Sequence, residues 1–231
     1  MRKIAAIMIA LCVCFAFSAC GQADVSSSGK ETEVVLRPEE IKQDIYLVLV
    51  NKENKLPDDW TDRIELKVEY NALGEEVWAE KVTLEHFDAL REELLEQGID
   101  IELDSAYRSV EEQQEIWDEW MAVYGKDYCE RYLAKPGYSE HHTGLAIDIF
   151  VIQKNNKIVR DNDGMIADIK DFAEIHQLLP KYGFILRYPD GKEDITGYSY
   201  EPWHLRYVGE DAARVISECG ITLEEYLSSL S

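Results

Sequence analysis

Ser139-Glu140-His141-His142-Thr143-Gly144-Leu145-Ala146-Ile147-Asp148, running on through Ile149-Phe150-Val151, is the stretch whose reading decides how this chain folds. Its second half is apolar and rich in β-branched residues, the composition of a mostly buried strand. Its first half is polar and carries Gly144, which permits a tight turn. A loop entering a strand is therefore expected, with Asp148 pointing inward from an otherwise apolar run. An ionisable side chain there is costly unless it is paired or bound to a metal. His141 and Asp148 lie seven apart, too far for one helical face at the usual spacing of three or four. His142 competes with His141 as a ligand. Adjacent residues of an extended segment point oppositely, so only one of the two should face a metal.

A second cluster, Glu201-Pro202-Trp203-His204, completes the inventory. The two stretches together supply two imidazoles, one carboxylate ligand and a spare carboxylate. That set suits a catalytic zinc site with three protein ligands, an open position for water and a base beside it. His204 is placed on the metal and Glu201 beside the water as general base. Attack on a carbonyl needs a base to take the proton of the water and a cation to hold the developing oxyanion. Arg108, in Ser105-Ala106-Tyr107-Arg108-Ser109, is a candidate for the second role.

Outward from these clusters the chain alternates strands and helices without a regular βαβ pattern. Ile45 to Val50 is an apolar run of strand length, and Ile64 to Tyr70 alternates apolar and polar residues as a half-buried strand does. Thr83 to Glu96 reads as an amphipathic helix, opened by Thr83 and stopped by Gly98, and Ile99 to Leu103 as a strand. Ser109 caps a long helix, with Glu112 forming a capping box and Ile116, Trp117, Trp120 and Tyr124 on one face. Further helices are expected over Ile166 to Leu179 and Asp211 to Cys219, and strands over Phe184 to Arg187 and Trp203 to Tyr207. This mixture predicts a single α+β domain: a central antiparallel sheet flanked by helices, with the metal site on the sheet.

The 231 residues suffice for one such domain plus a tail, and 46% hydrophobic content is that of a globular chain. The net charge of −22 is spread along the whole sequence and repels phosphate backbones, so nucleic-acid binding is not expected. Met1-Arg2-Lys3 followed by the apolar run Ile4 to Phe17 reads as a secretory signal, too short to span a membrane comfortably. Phe17-Ser18-Ala19-Cys20-Gly21 resembles a bacterial lipobox, cut before a cysteine that becomes lipid-modified. The alternative is an ordinary signal cut after Ala19 that leaves Cys20 as a free thiol. Residues 1–19 are thus assigned to the signal, 20–43 to the lipidated cysteine and a flexible polar tether, and 44–231 to the folded domain. Cys129 and Cys219 remain in the domain, either paired or simply buried.

Tyr107-Arg108-Ser109, the Ser139-x-His141-x-x-Gly144-x-Ala146-x-Asp148 motif, Gly183-Phe184-Ile185-Leu186-Arg187-Tyr188-Pro189 and Glu201-Pro202-Trp203-His204-x-Arg206-Tyr207 together resemble the VanY family of zinc D-alanyl-D-alanine carboxypeptidases. The likeness spans about Asp44 to Gly209 and is weakest between Asp59 and Thr83. It implies His141, Asp148 and His204 as Zn2+ ligands, Glu201 as the base, and Arg108 as oxyanion stabiliser and substrate anchor. Ser139 is implied as a hydrogen bonder near the peptide carboxylate. The expected activity is release of the terminal D-alanine from peptidoglycan stem peptides. L,D-carboxypeptidase action on tetrapeptide stems, or a non-catalytic zinc-containing wall-binding lipoprotein, are the alternatives. The expected protein is a monomer, anchored through Cys20 to the outer face of the bacterial cytoplasmic membrane and facing the cell wall.

Overall fold

The structure, a computed structural model, describes residues 44–230 apart from 154–155, 161 and 168. The expected signal segment, Cys20 and the tether lie outside the described residues. The chain opens with a 3-10 turn over Ile45–Leu47, capped by the Asp44 carboxylate, which accepts from the Tyr46 N–H at 2.9 Å. A hairpin follows, β1 (Leu66–Tyr70) paired antiparallel with β2 (Glu76–Glu80), and then α1 (Lys81–Glu96) and β3 (Asp100–Ser105). Two helices come next, α2 (Val110–Tyr124) and α3 (Lys126–Tyr132). The chain continues through β4 (Ala146–Ile152), the short β5 (Ile158–Val159), α4 (Asn162–Ala167), α5 (Ile169–Leu178), β6 (Phe184–Leu186), α6 (Glu193–Thr196), β7 (His204–Tyr207), α7 (Glu210–Cys219) and α8 (Leu223–Ser229).

The main sheet runs β3-β4-β7-β6, with β5 added to β4, and every pairing is antiparallel. Strand alternation sorts its two faces. Ile101 and Leu103 of β3, Ile147, Ile149 and Val151 of β4, and Leu205 and Tyr207 of β7 enter one core. Phe87, Leu90 and Leu94 of α1 and Phe172 and Ile175 of α5 cover that face. Burying such side chains contributes roughly 1.5–3 kcal/mol each, so this face holds the sheet flat against its helices. The intervening residues Asp148, His204 and Arg206 project to the opposite face. The antiparallel α+β architecture read from the sequence is the one observed.

Local departures have local causes. Ile45 to Val50 is not a strand. Leu47 and Val50 are buried as its apolarity implies, but the Tyr46 and Val48 carbonyls accept from Arg206 Nη2 at 3.0 and 2.7 Å instead of from a neighbouring strand. Helix α1 begins two residues before Thr83, because the Glu80 carboxylate accepts from the Thr83 N–H at 2.9 Å and caps it. The capping box of α2 is present as expected, with Ser109 and Glu112 bonding each other's backbone N–H. The helix expected over Ile166 to Leu179 is matched by α4 and α5 on either side of residue 168, starts earlier, at Asn162, and gives way to a 3-10 turn over Leu179–Tyr182 that contains Pro180. Cys129 on α3 is buried and Cys219 on α7 is exposed, and both are free thiols.

Candidate active site

The sheet register builds the site. Asp148 on β4 is the direct partner of His204 on β7, and on its other side it faces Ser105 of β3. Cross-strand partners share a face, which brings Asp148 Oδ1 to 2.9 Å from His204 Nδ1. His141 enters from the 3-10 turn Glu140–Thr143, and its Nε2 lies 3.2 Å from Asp148 Oδ2. Gly144 closes that turn at φ 71°, and a Cβ there would sit 3.0 Å from the Glu80 backbone N, so the close approach and the left-handed backbone both require glycine. His141, Asp148 and His204 each offer one ligand atom, and these atoms all lie within 4.8 Å of one another. Two imidazole nitrogens and one carboxylate oxygen, nearly withdrawn from solvent, form a donor set that fits zinc with a position left open.

The second nitrogens of the histidines assign the ligand atoms. His141 Nδ1 lies 2.6 Å from the Ala106 carbonyl, so it carries the proton and leaves Nε2 for a metal. His204 Nε2 faces Glu140 Oε2 at 3.4 Å, leaving Nδ1 turned toward Asp148. His142 points away: its Nε2 accepts from the Gly137 N–H at 3.0 Å, and its Nδ1–H donates to the Arg108 carbonyl at 2.6 Å. Of the two adjacent histidines, His141 is the one that joins Asp148 and His204 in the cluster.

Electrostatics follow from enclosure. Burial lowers the His141 pKa, keeping its ring neutral as a ligand must be. Burial alone would raise the Asp148 pKa, but the neighbouring His141 and the bonds from both imidazoles hold it well below the carboxylate range. Burial would likewise lower His204, yet its hydrogen bonds to Asp148 and Glu140 raise it to about 9 in the metal-free protein. Glu201 is 6% exposed, and its Oε2 is 3.9 Å from His204 Nδ1. Burial pushes its pKa up to about 8; His204 opposes this, and the Asp148 and Glu140 carboxylates add to it. A carboxyl poised near neutrality beside a metal set is suited to proton transfer.

These groups open into a cleft of about 310 Å³ that Arg108, Ile116, Trp120 and Tyr132 also line. Ile116 and Trp120 belong to the apolar face expected on α2. That face forms a cleft wall, and only Gln113 of the helix is fully buried. Arg108 Nη1 donates to Gln113 Oε1 at 2.7 Å and Nη2 to Ser105 Oγ at 3.0 Å. Among the described residues no carboxylate forms an ion pair with it, so its charge is available to an anion. Gln113 is fixed by its own bond to the Ala134 carbonyl at 2.7 Å. Ser139 does not line the cleft; it is 2% exposed and its hydroxyl accepts from the His141 N–H at 3.3 Å, capping the turn.

Two contributors escaped the sequence reading. Gln113 carried a signal, a polar residue five positions after Arg108 on an amphipathic helix. Glu140 stood inside the motif as an unassigned spacer. Its carboxylate is fully enclosed, and its Oε1 takes Arg187 Nε at 2.8 Å and Arg206 Nη1 at 2.6 Å.

The VanY family profile, described as D-alanyl-D-alanine carboxypeptidase, matches residues 76–210. The chain is 38% identical over 203 residues to "Putative carboxypeptidase YodJ" of Bacillus subtilis (strain 168), covering 86% of this chain and 71% of that one. Among solved structures, a variant of the vancomycin resistance D,D-pentapeptidase VanY in complex with Zn(II) superposes with TM-score 0.65 at 34% identity, over 80% of this chain and 99% of that one. The LdcB LD-carboxypeptidase superposes with TM-score 0.64 at 35% identity, over 83% of this chain and 87% of that one. The chain belongs to the VanY family of metallocarboxypeptidases.

Proposed function

We propose that this VanY-family chain is a zinc-dependent D,D-carboxypeptidase that removes the terminal D-alanine from peptidoglycan stem peptides. The observation that carries the reading is the convergence, in one cleft, of the His141–Asp148–His204 donor set, the perturbed Glu201 carboxyl and the Arg108 guanidinium, which Gln113 and Ser105 hold and which no carboxylate pairs with among the described residues. His141 Nε2, an Asp148 carboxylate oxygen and His204 Nδ1 would hold the zinc. Zinc bound there supplies a Lewis acid for the scissile carbonyl and acidifies a water. Glu201 takes the proton of the attacking water and returns it to the leaving amine, which needs a carboxyl that changes protonation near neutrality. Arg108, held by Gln113 and Ser105, places its positive charge where the tetrahedral oxyanion or the terminal carboxylate forms.

A second reading, L,D-carboxypeptidase action on tetrapeptide stems, is favoured by the equal likeness to LdcB. A purely structural zinc site is disfavoured, because it would need neither Glu201 nor Arg108. Purified protein incubated with pentapeptide and tetrapeptide stems separates the readings. D-Alanine released from the pentapeptide alone supports the D,D assignment. Release from the tetrapeptide alone replaces it with the L,D activity, and release from neither removes the enzyme reading.

Cys20 is proposed as the lipidated first residue of the mature chain, with 21–43 as its tether to the outer face of the cytoplasmic membrane. Small residues before a cysteine at the end of an apolar run support this.

A further inference from the structure

Behind the metal set, and not lining the cleft themselves, stand three buried charges, Glu140, Arg187 and Arg206, joined to a fourth, the half-buried Glu224. Glu140 Oε1 holds both Arg187 and Arg206, at 2.8 and 2.6 Å. Arg187 is gripped on its other side by Glu224 of α8, Nη1 to Oε2 at 3.0 Å and Nη2 to Oε1 at 2.6 Å. Asn51 Nδ2 also donates to Glu224, at 3.2 Å. Two guanidinium groups and two carboxylates thus balance one another, and three of the four, Glu140, Arg187 and Arg206, are out of water, where an uncompensated charge is strongly unfavourable. The one oxygen of Glu140 left over, Oε2, faces His204 Nε2 at 3.4 Å. Helix α8 lies beyond the residues that match the family profile, which end at 210.

We infer that Glu140 is the outer carboxylate of the metal centre and that Glu224 of the C-terminal helix supplies the charge that keeps it one. Glu140 accepts the His204 Nε2 proton, fixes that tautomer and ring orientation, and so presents the Nδ1 lone pair to the metal. Partners of this kind set ligand basicity and metal affinity. Without the negative charge of Glu224, Arg187 and Arg206 together outweigh Glu140, and its remaining oxygen becomes a weaker acceptor for His204. The C-terminal helix is then part of the metal centre although none of its side chains reaches the metal. Glu140 and Glu224 are positioning residues acting through His204, and the inference rests on the zinc reading above.

The test compares wild type, Glu140→Gln and Glu224→Gln for zinc affinity by chelator competition, with circular dichroism and thermal melting reporting the fold. Nitrogen-15 histidine spectra of the zinc-loaded wild type report the His204 tautomer. Expected are zinc on Nδ1 with a proton on Nε2 in the wild type, and a loss of affinity of about 10–100-fold in folded Glu140→Gln. Folded Glu224→Gln loses affinity in the same direction by less. Should Glu140→Gln fail to fold, the wild-type spectrum and Glu224→Gln decide. Zinc on His204 Nε2, or wild-type affinity in folded Glu224→Gln, overturns the inference while the metallopeptidase reading stands. A wild-type protein that takes up no zinc overturns both.

Discussion

Asp148 and His204 are register partners across β4 and β7, and that pairing alone sets Asp148 Oδ1 2.9 Å from His204 Nδ1. Because side chains alternate with period two, a slip of one residue would put Leu205 opposite Asp148 and drive His204 into the apolar core. The hydrophobic face made by Ile147, Ile149 and Leu205 therefore stabilises the metal geometry as directly as any hydrogen bond within it.

His141→Ala and His204→Ala are expected to lose stoichiometric zinc and activity, whereas His142→Ala keeps its metal. His142 bridges the Gly137 N–H and the Arg108 carbonyl, so its removal lowers thermal stability instead. Metal analysis after gel filtration checks this; loss of zinc from His142→Ala with retention in His141→Ala would reverse the ligand assignment.

Glu201→Gln separates binding from chemistry. Glu201 stands 3.9 Å from His204 Nδ1 and outside the donor set, so the variant should retain full zinc. Its turnover should fall by roughly 10²–10⁴-fold, the contribution of a positioned base. Near-normal D-alanine release, or a metal-free variant, would contradict the role given to Glu201.

Arg108→Ala should leave zinc bound and lower kcat by about 10²–10³-fold, as removal of one oxyanion donor does. Gln113→Ala, which frees the guanidinium on one side, should lower it in the same direction by less. Steady-state kinetics on a synthetic stem peptide measures both. An effect on KM alone would confine Arg108 to holding the substrate carboxylate.

Metal affinity should depend on pH with a definite sign. His204 keeps its proton up to about 9 in the metal-free protein, above its ordinary 6.5, and zinc must displace the proton on Nδ1. Apparent affinity therefore rises about tenfold per pH unit from near 6 and levels off above 9. The same shift makes the metal-free fold lose stability as pH climbs from 6.5 towards 9, since the folded state holds the proton that the unfolded state has released. Competition titrations and melts across this range test both trends; a flat affinity profile would mean that no proton leaves His204.

Cys20→Ala should leave the membrane fraction, or stay unprocessed with its signal attached, while the domain remains active in solution. A diacylglyceryl group carries two chains, enough for stable anchoring where one holds only weakly. Mass spectrometry of the mature N-terminus is the direct measurement, and an unmodified Cys20 thiol on released protein would leave an ordinary secreted enzyme.

Features with a local cause could be read before folding. The capping box of Ser109 and Glu112 spans three positions, and Asp148 declares itself as the one ionisable residue in the otherwise apolar run Leu145 to Val151. That His141, Asp148, Glu201, His204 and Arg108 would converge in one cleft could be anticipated from residue type and spacing, because zinc chemistry restricts which side chains can serve. Burial of Leu47 and Val50 was also legible from apolarity, but their backbone pairing was not. Its partner for the Val48 carbonyl is Arg206, 158 residues further along. The β2 strand was missed because only Val77 and Ala79 turn inward in it, too short an alternation to stand out before β1 lies beside it.

Glu140 marks the boundary most sharply. A glutamate between a serine and a histidine in a turn carries no local sign of total burial. Its role depends on Arg187, Arg206 and Glu224, which come from β6's end, β7 and α8 and meet only when the sheet closes and the C-terminal helix docks. Zinc-binding chemistry is a property of side-chain type and is written in the chain; the balance of four enclosed and half-enclosed charges is a property of distance, and distance exists only in the folded molecule.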